Sequence, residues 1–332
     1  MWESKSASSG VPSGAASDEG HLLTEPLPKQ RRSKGMTYAK LTARIALGHG
    51  LGTGPHYLPW LTLRKKNPSP QSNQVISRMP PLGRTAHYFS RGEYHTALFL
   101  LWLGVEDLRE QFPIWPIPHP HPLDLYDVAQ DKPRPWSRGL LAIAAAAGVE
   151  HGVEFGTNVP YVASLDLLAT TRLGGRGALT IFSSKPINSP RDDIKWRTLE
   201  RLELERRYAI DIAARYYVSS AALISVFTAG QLENWLDASN LRYFPHLENY
   251  AAPFAASFNE SKALSILEAV NKAASQCSLD LDQAWFLFRH CAWTQAIDID
   301  PTVRILHSYP ARPGGRALRQ SWQQRLFGEA WT

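Results

Sequence analysis

The stretch that most restricts the fold runs from Val159 to Lys185, VPYVASLDLLATTRLGGRGALTIFSSK. Two apolar and β-branched runs, VPYVASLDLL and ALTIFSS, flank a segment in which Gly174, Gly175 and Gly177 permit positive φ, so the economical structure is a two-stranded hairpin. A hairpin brings Asp166 and Lys185 together at the ends of paired strands. That pair suits metal-dependent phosphodiester hydrolysis, in which a carboxylate holds a hard divalent cation and an ammonium orients the attacking water. A solvated acid and a solvated lysine on a sheet edge is the competing reading of the same two residues.

The length of 332 residues predicts two domains, and 44% hydrophobic with 11% aromatic residues is enough to bury a core in each. The formal charge of +6 comes from 36 basic against 30 acidic residues, a modest excess that favours a polyanionic partner only where the charge clusters. Cys277 and Cys291 have no CxxC spacing, which argues against a disulfide framework or a zinc site and fits a reducing cytoplasm. The longest apolar run, Gly139 to Val149, is too short to cross a bilayer, and the N-terminus is polar where an export signal would be apolar. The expectation is a cytoplasmic protein with no membrane partner.

Residues 1–36 are rich in Ser, Gly, Ala, Pro and charge and predict a flexible tail, whose KQRRSK segment, Lys29 to Lys34, either touches phosphates or is solvated. A short helix is expected in TYAKLTARIAL. Ser90 and Glu93 at the start of RGEYHTALFLLWLG form a capping-box pattern, which by itself gives Glu93 a structural role. Val105 to Phe112 reads as a strand and Ser137 to Gly148 as an Ala-rich helix. Between them His119 and His121, flanked by prolines, supply only two ligands where zinc wants at least three, so no metal is assigned there. After the hairpin, Ile194, Leu199, Leu202, Tyr208 and Ile212 give one apolar stripe to a long charged helix over roughly 191–217. Leu223 to Phe227 (LISVF) reads as a buried strand that completes a mixed sheet flanked by helices, an α/β domain over 37–230. Residues 231–332 read as a mainly helical module. Its helices are expected at Asn259 to Ala274 and Asp280 to Trp293, and strand-like 296–299 and 303–306 would supply the ribbon of a winged helix. The last residues either contact DNA or a protein, or dock Trp322 and Leu326 on the core.

Four segments together resemble TnsA, the endonuclease subunit of heteromeric cut-and-paste transposons of the Tn-seven type. They are YLPWL (Tyr57 to Leu61), GRTAHYFSRGE (Gly83 to Glu93), REQFP (Arg109 to Pro113), and SLDLLATT with IFSSK, continued by LERLELERRYA. The resemblance runs from Tyr57 to about Thr228. It implies a restriction-endonuclease-like catalytic domain with Glu93, Asp166 and Lys185 as the active site. By the same resemblance Glu93, Asp166 and the carbonyl of Ser184 hold Mg²⁺, with Mn²⁺ as substitute, and the Glu93 carboxylate leaves its helix start to meet Asp166. It further implies cleavage of the strand at each transposon 5′ end in double-stranded DNA. The partners it implies are the transposase TnsB and, through the C-terminal module, the AAA+ regulator TnsC and DNA. One departure is Ser183, where the family commonly has Gln. Two other readings stay open on the sequence: a free-standing restriction-like or repair nuclease using the same residues, and a scaffold whose site has decayed.

Overall fold

A computed structural model describes residues 35–63, 73–126, 134–154, 156–173, 176–185, 194–220 and 223–328. The basic KQRRSK segment, the tail before it and the glycines Gly174 and Gly175 lie outside the described residues.

The described residues begin with helix α1 (Tyr38–Ala46), capped by the Thr37 hydroxyl, which accepts the Lys40 N–H. Strands β1 (Val75–Met79) and β2 (Arg84–Tyr88) follow as an antiparallel pair turning at Gly83, where φ is 68°. The Ser90 cap then starts helix α2 (Arg91–Leu103), which ends at Gly104 with φ 88°, the left-handed closure that favours glycine. Ten of its residues are buried, so it is a core helix with apolar residues on nearly every side. Strand β3 (Asp107–Ile114), helix α3 (Leu140–Ala147), strands β4 (Ala163–Leu173) and β5 (Arg176–Ser184), helix α4 (Trp196–Asp211) and strand β6 (Arg215–Ser219) complete the α/β part. The sheet order is β3-β4-β5-β6, antiparallel except for the parallel β5–β6 pair, with Leu173 opposite Arg176 at the hairpin end. This is the mixed sheet flanked by helices that the sequence predicts, and it is consistent with a restriction-endonuclease-like fold.

The fourth strand is not the one expected. RYYVS, read as the end of the long helix, is β6, because α4 stops at Asp211 and Ala213 turns the chain at φ 50°. A run of two tyrosines and a valine then suits a pleated surface better than a helix. LISVF contributes no strand: Ser225 caps helix α5 (Val226–Leu236) with its hydroxyl on the Thr228 N–H, and Val226 and Phe227 are exposed. Helices α6 (Pro245–Glu260), α7 (Ile266–Cys277), α8 (Leu281–Thr294) and α9 (Gly315–Phe327) follow. Capping boxes at Ser265/Glu268 and Asp280/Gln283 fix the starts of α7 and α8, so the expected helix over 259–274 is two helices broken before Ser265. Residues 296–299 and 303–306 form no strand, so among the described residues the mainly helical module has no ribbon and no wing. Side-chain bonds hold this segment in its turns: Asp298 accepts the N–H groups of Gly314 and Arg316, and Asp300 that of Thr302.

The sheet is covered on both faces. Leu108, Leu167, Ala169 and Phe182 pack with α2 and the C-terminal helices, whereas Phe112, Ile114, Leu165, Leu168 and Ile181 pack with α3 and α4. Strict alternation would send Leu108 and Phe112 to one face, and likewise Leu165 and Leu167. In both strands the sides change across one point, Gln111 opposite Asp166. There the β3–β4 ladder passes from Glu110↔Leu167 to Phe112↔Leu165 without pairing the two. Gln111 has φ 48°; the other non-glycine residues described with positive φ, Ala213, Ser278 and Gln295, follow or cap helices. A left-handed residue inside a strand costs about 1–2 kcal/mol and breaks the pleat.

Candidate active site

The break in the β3–β4 ladder lies beside the two residues that the hairpin was expected to unite. Asp166 Oδ2 accepts the Lys185 ammonium at 2.8 Å and the Ser184 N–H at 2.8 Å, and Lys185 Nζ also donates to the Ser184 carbonyl at 2.9 Å. Lys185 lies just past β5, and its N–H donates to the Ser219 carbonyl at 2.9 Å, so the parallel pairing with β6 holds the backbone beyond the strand end. The side chains are 10% and 13% exposed for Lys185 and Asp166, so most of the pair is withdrawn from solvent. The pair is therefore not the solvated edge of the competing reading.

Glu93 approaches from the start of α2. The capping box is half made: the Ser90 hydroxyl accepts the Glu93 N–H at 3.1 Å, while the carboxylate accepts the Phe89 N–H at 2.9 Å and the Ser90 hydroxyl at 3.0 Å. The carboxylate therefore stays at the helix start, a correction to the expectation that it departs to meet Asp166. It is nonetheless within the field of the pair. Burial and the Asp166 charge push the Glu93 carboxyl up to about 7, against the opposing pull of the Phe89 and Ser90 bonds and of Lys185. Gly92 lets this helix start lie on the end of β5, since a Cβ there would stand 2.8 Å from Ser184 Oγ.

Two participants were missed on the sequence. Gln111 Nε2 donates to Glu93 Oε2 at 3.2 Å and its Oε1 accepts the Ser164 hydroxyl at 2.9 Å. Glu205 of α4 is buried; its carboxylate accepts the Ser183 hydroxyl and the Tyr216 hydroxyl and pairs with Arg201. Burial and then Asp166 raise its pKa. Ser183, itself fully buried, thus faces Glu205. A signal existed: Glu205 falls three residues after Leu202 and three before Tyr208, on the apolar stripe, where a charge has to find a buried partner.

The histidines set aside earlier are engaged in packing. His119 bonds the Ile117 carbonyl and the Tyr208 hydroxyl, and His121 the Ile212 carbonyl.

Two carboxylates and a main-chain carbonyl are oxygen ligands of the kind a hard divalent cation takes, and the Glu93 charge, disfavoured by burial and then by Asp166, would be favoured by such a cation nearby. Among the described residues no three His, Cys, Asp or Glu side chains converge on one point, so water or phosphate oxygens would complete such a shell.

Transposon Tn7 transposition protein TnsA of Escherichia coli is 35% identical to this chain over 170 residues, 51% of this chain and 52% of that protein. Over that stretch the chain is TnsA-like. It spans about half the length of this curated relative, and no family model matches it. Among the described residues no helix is long and apolar enough to cross a membrane.

Proposed function

We propose that the chain is a transposition endonuclease that hydrolyses the DNA strand at the 5′ ends of its element, alongside a TnsB-type transposase and a TnsC-type AAA+ regulator. The observation that carries this reading is the Lys185 ammonium 2.8 Å from Asp166 at the strand ends, in a chain similar to a transposition protein. Glu93, Asp166 and the Ser184 carbonyl would hold Mg²⁺, for which Mn²⁺ substitutes. When bound, the cation supplies the charge that lowers the acidity barrier of an attacking water and steadies the leaving oxygen.

The protein's own residues do the rest. Asp166 holds the Lys185 ammonium in place, so that its positive charge lies beside the phosphate as negative charge builds on the phosphoryl oxygens. The Ser184 N–H fixes the same carboxylate oxygen and prevents it from swinging away. The water's oxygen bonds to phosphorus and gives up a proton to solvent, the bond from phosphorus to the departing sugar oxygen breaks, and that oxygen takes up a proton from solvent.

Asp166→Ala tests the assignment on labelled transposon-end DNA with and without the transposase. Cleavage in Mg²⁺ should fall by at least roughly 100-fold with Tm almost unchanged, because the side chain touches the site and leaves the core intact. A variant that cuts at the wild-type rate would show that the site is elsewhere. Cleavage by the pure chain alone would favour the free-standing nuclease.

A further inference from the structure

The strained residue in β3 bonds groups on three other segments, α2, β4 and the loop that holds Trp60. Gln111 is buried, sits opposite Asp166 where the ladder lapses, and has φ 48° in the middle of a strand. Its carbonyl is turned out of the sheet and accepts the Trp60 N–H at 3.1 Å, which ties the REQFP and YLPWL segments together. Its side-chain amide reaches in two directions at once, donating to Glu93 and accepting from Ser164 on β4. A residue held in a sparsely populated backbone conformation persists when its surroundings over-determine it, and such residues gather at functional sites. Glycine would adopt this φ without strain and asparagine more readily than glutamine, so the backbone alone gives no reason for glutamine.

We infer that Gln111 is a positioning residue for strand cleavage: its amide, braced by Ser164, fixes the Glu93 carboxylate of α2 relative to Asp166 of β4. The two carboxylates come from different elements, and α2 brings Glu93 to the site on its first turn. Without a link, Glu93 would be free to settle wholly into its bonds with Phe89 and Ser90. Gln111 donates to the same oxygen, Oε2, that accepts the Phe89 N–H, so the amide divides that oxygen between the cap and the site. The break in the pleat is what aims the amide at Glu93.

This inference rests on the proposed nuclease reading, so Asp166→Ala is carried as a control through the same experiment. Gln111→Gly and Gln111→Asn are made in the full chain, and kcat and KM for transposon-end DNA are measured with the Tm. Both substitutions suit the backbone; glycine has no amide, and asparagine's is one methylene too short to bridge Ser164 and Glu93. The expected result is a kcat lower by at least tenfold in both, a KM within twofold of wild type, and a Tm at or slightly above wild type in the glycine variant. Wild-type kcat in either folded variant, with Asp166→Ala inactive, overturns the role of Gln111 and leaves the site standing. Wild-type kcat in Asp166→Ala overturns the site itself. A collapse of Tm in both Gln111 variants also overturns the inference, since glutamine would then be required by the fold.

Discussion

At the scale of single residues, the structure changes what Ser183 and Glu205 mean. Ser183 is the position where the TnsA resemblance led us to expect Gln, and a side chain facing metal or water would accept the longer amide. It is fully buried against Glu205, so Ser183→Gln should overfill that space and cost about 1–3 kcal/mol in denaturant melts. A variant of wild-type stability would put the side chain on an open face instead. Glu205 carries a pH dependence. Its raised pKa means that the folded chain holds the proton more tightly than the unfolded chain does. The stability this contributes is full below the ordinary carboxylate range and is lost as pH rises through the raised value. Glu205→Gln should therefore melt a few degrees above wild type at pH 8, with the gap closing by pH 4. Thermal melts of both proteins across that range check it, and a gap that widens on acidification would contradict the burial argument. Asp166 and Lys185 were legible because a carboxylate and a lysine on a hairpin must end near one another. Gln111 was not, since nothing in REQFP announces a left-handed residue inside a strand.

At the scale of elements, the hairpin strands follow from their two apolar runs, and the Ser90-capped helix and the Ala-rich helix from local patterns of capping and glycine placement. The β6 strand was hidden because RYYVS continues the stripe of a charged helix, and only the turn at Ala213 separates the two. The expected ribbon failed for the opposite reason. Alternating residues at 296–299 looked strand-like, yet the aspartates there spend their oxygens on neighbouring N–H groups and no partner strand exists among the described residues. Helix α9 is held at its first residue by a close approach: a Cβ on Gly315 would stand 2.0 Å from the Ile299 carbonyl oxygen and 2.3 Å from Gln295 Oε1. Gly315→Ala should push the helix off this seat and destabilise the chain by at least about 2 kcal/mol, measured by chemical denaturation. Wild-type stability would mean that the loop before α9 yields freely.

At the scale of the whole molecule, the C-terminal helices are built into the same core as the candidate site. One contiguous hydrophobic cluster joins α2 with α5 to α9. Trp322 of α9 stacks edge-on against Phe99 of α2 at 5.4 Å, and the Gln323 amide donates to the Leu103 carbonyl at 2.6 Å. The terminal segment thus docks Trp322 and Leu326 inward, one of the two readings the sequence left open. Glu93 sits at the other end of α2, so α2 spans from this packing to the site.

The central claim is that the Asp166–Lys185 pair performs the strand cut at the element's 5′ ends, and Lys185→Ala tests it most directly. The variant keeps both carboxylates, so end binding and association with the transposase are measured beside the products, because a lysine near phosphates also contributes affinity. The account predicts normal binding, uncut 5′ strands at strand-specifically labelled ends, and donor–target cointegrates in place of simple insertions once the branched product is replicated. Normal binding with 5′ strands cut and simple insertions at the wild-type frequency would contradict it.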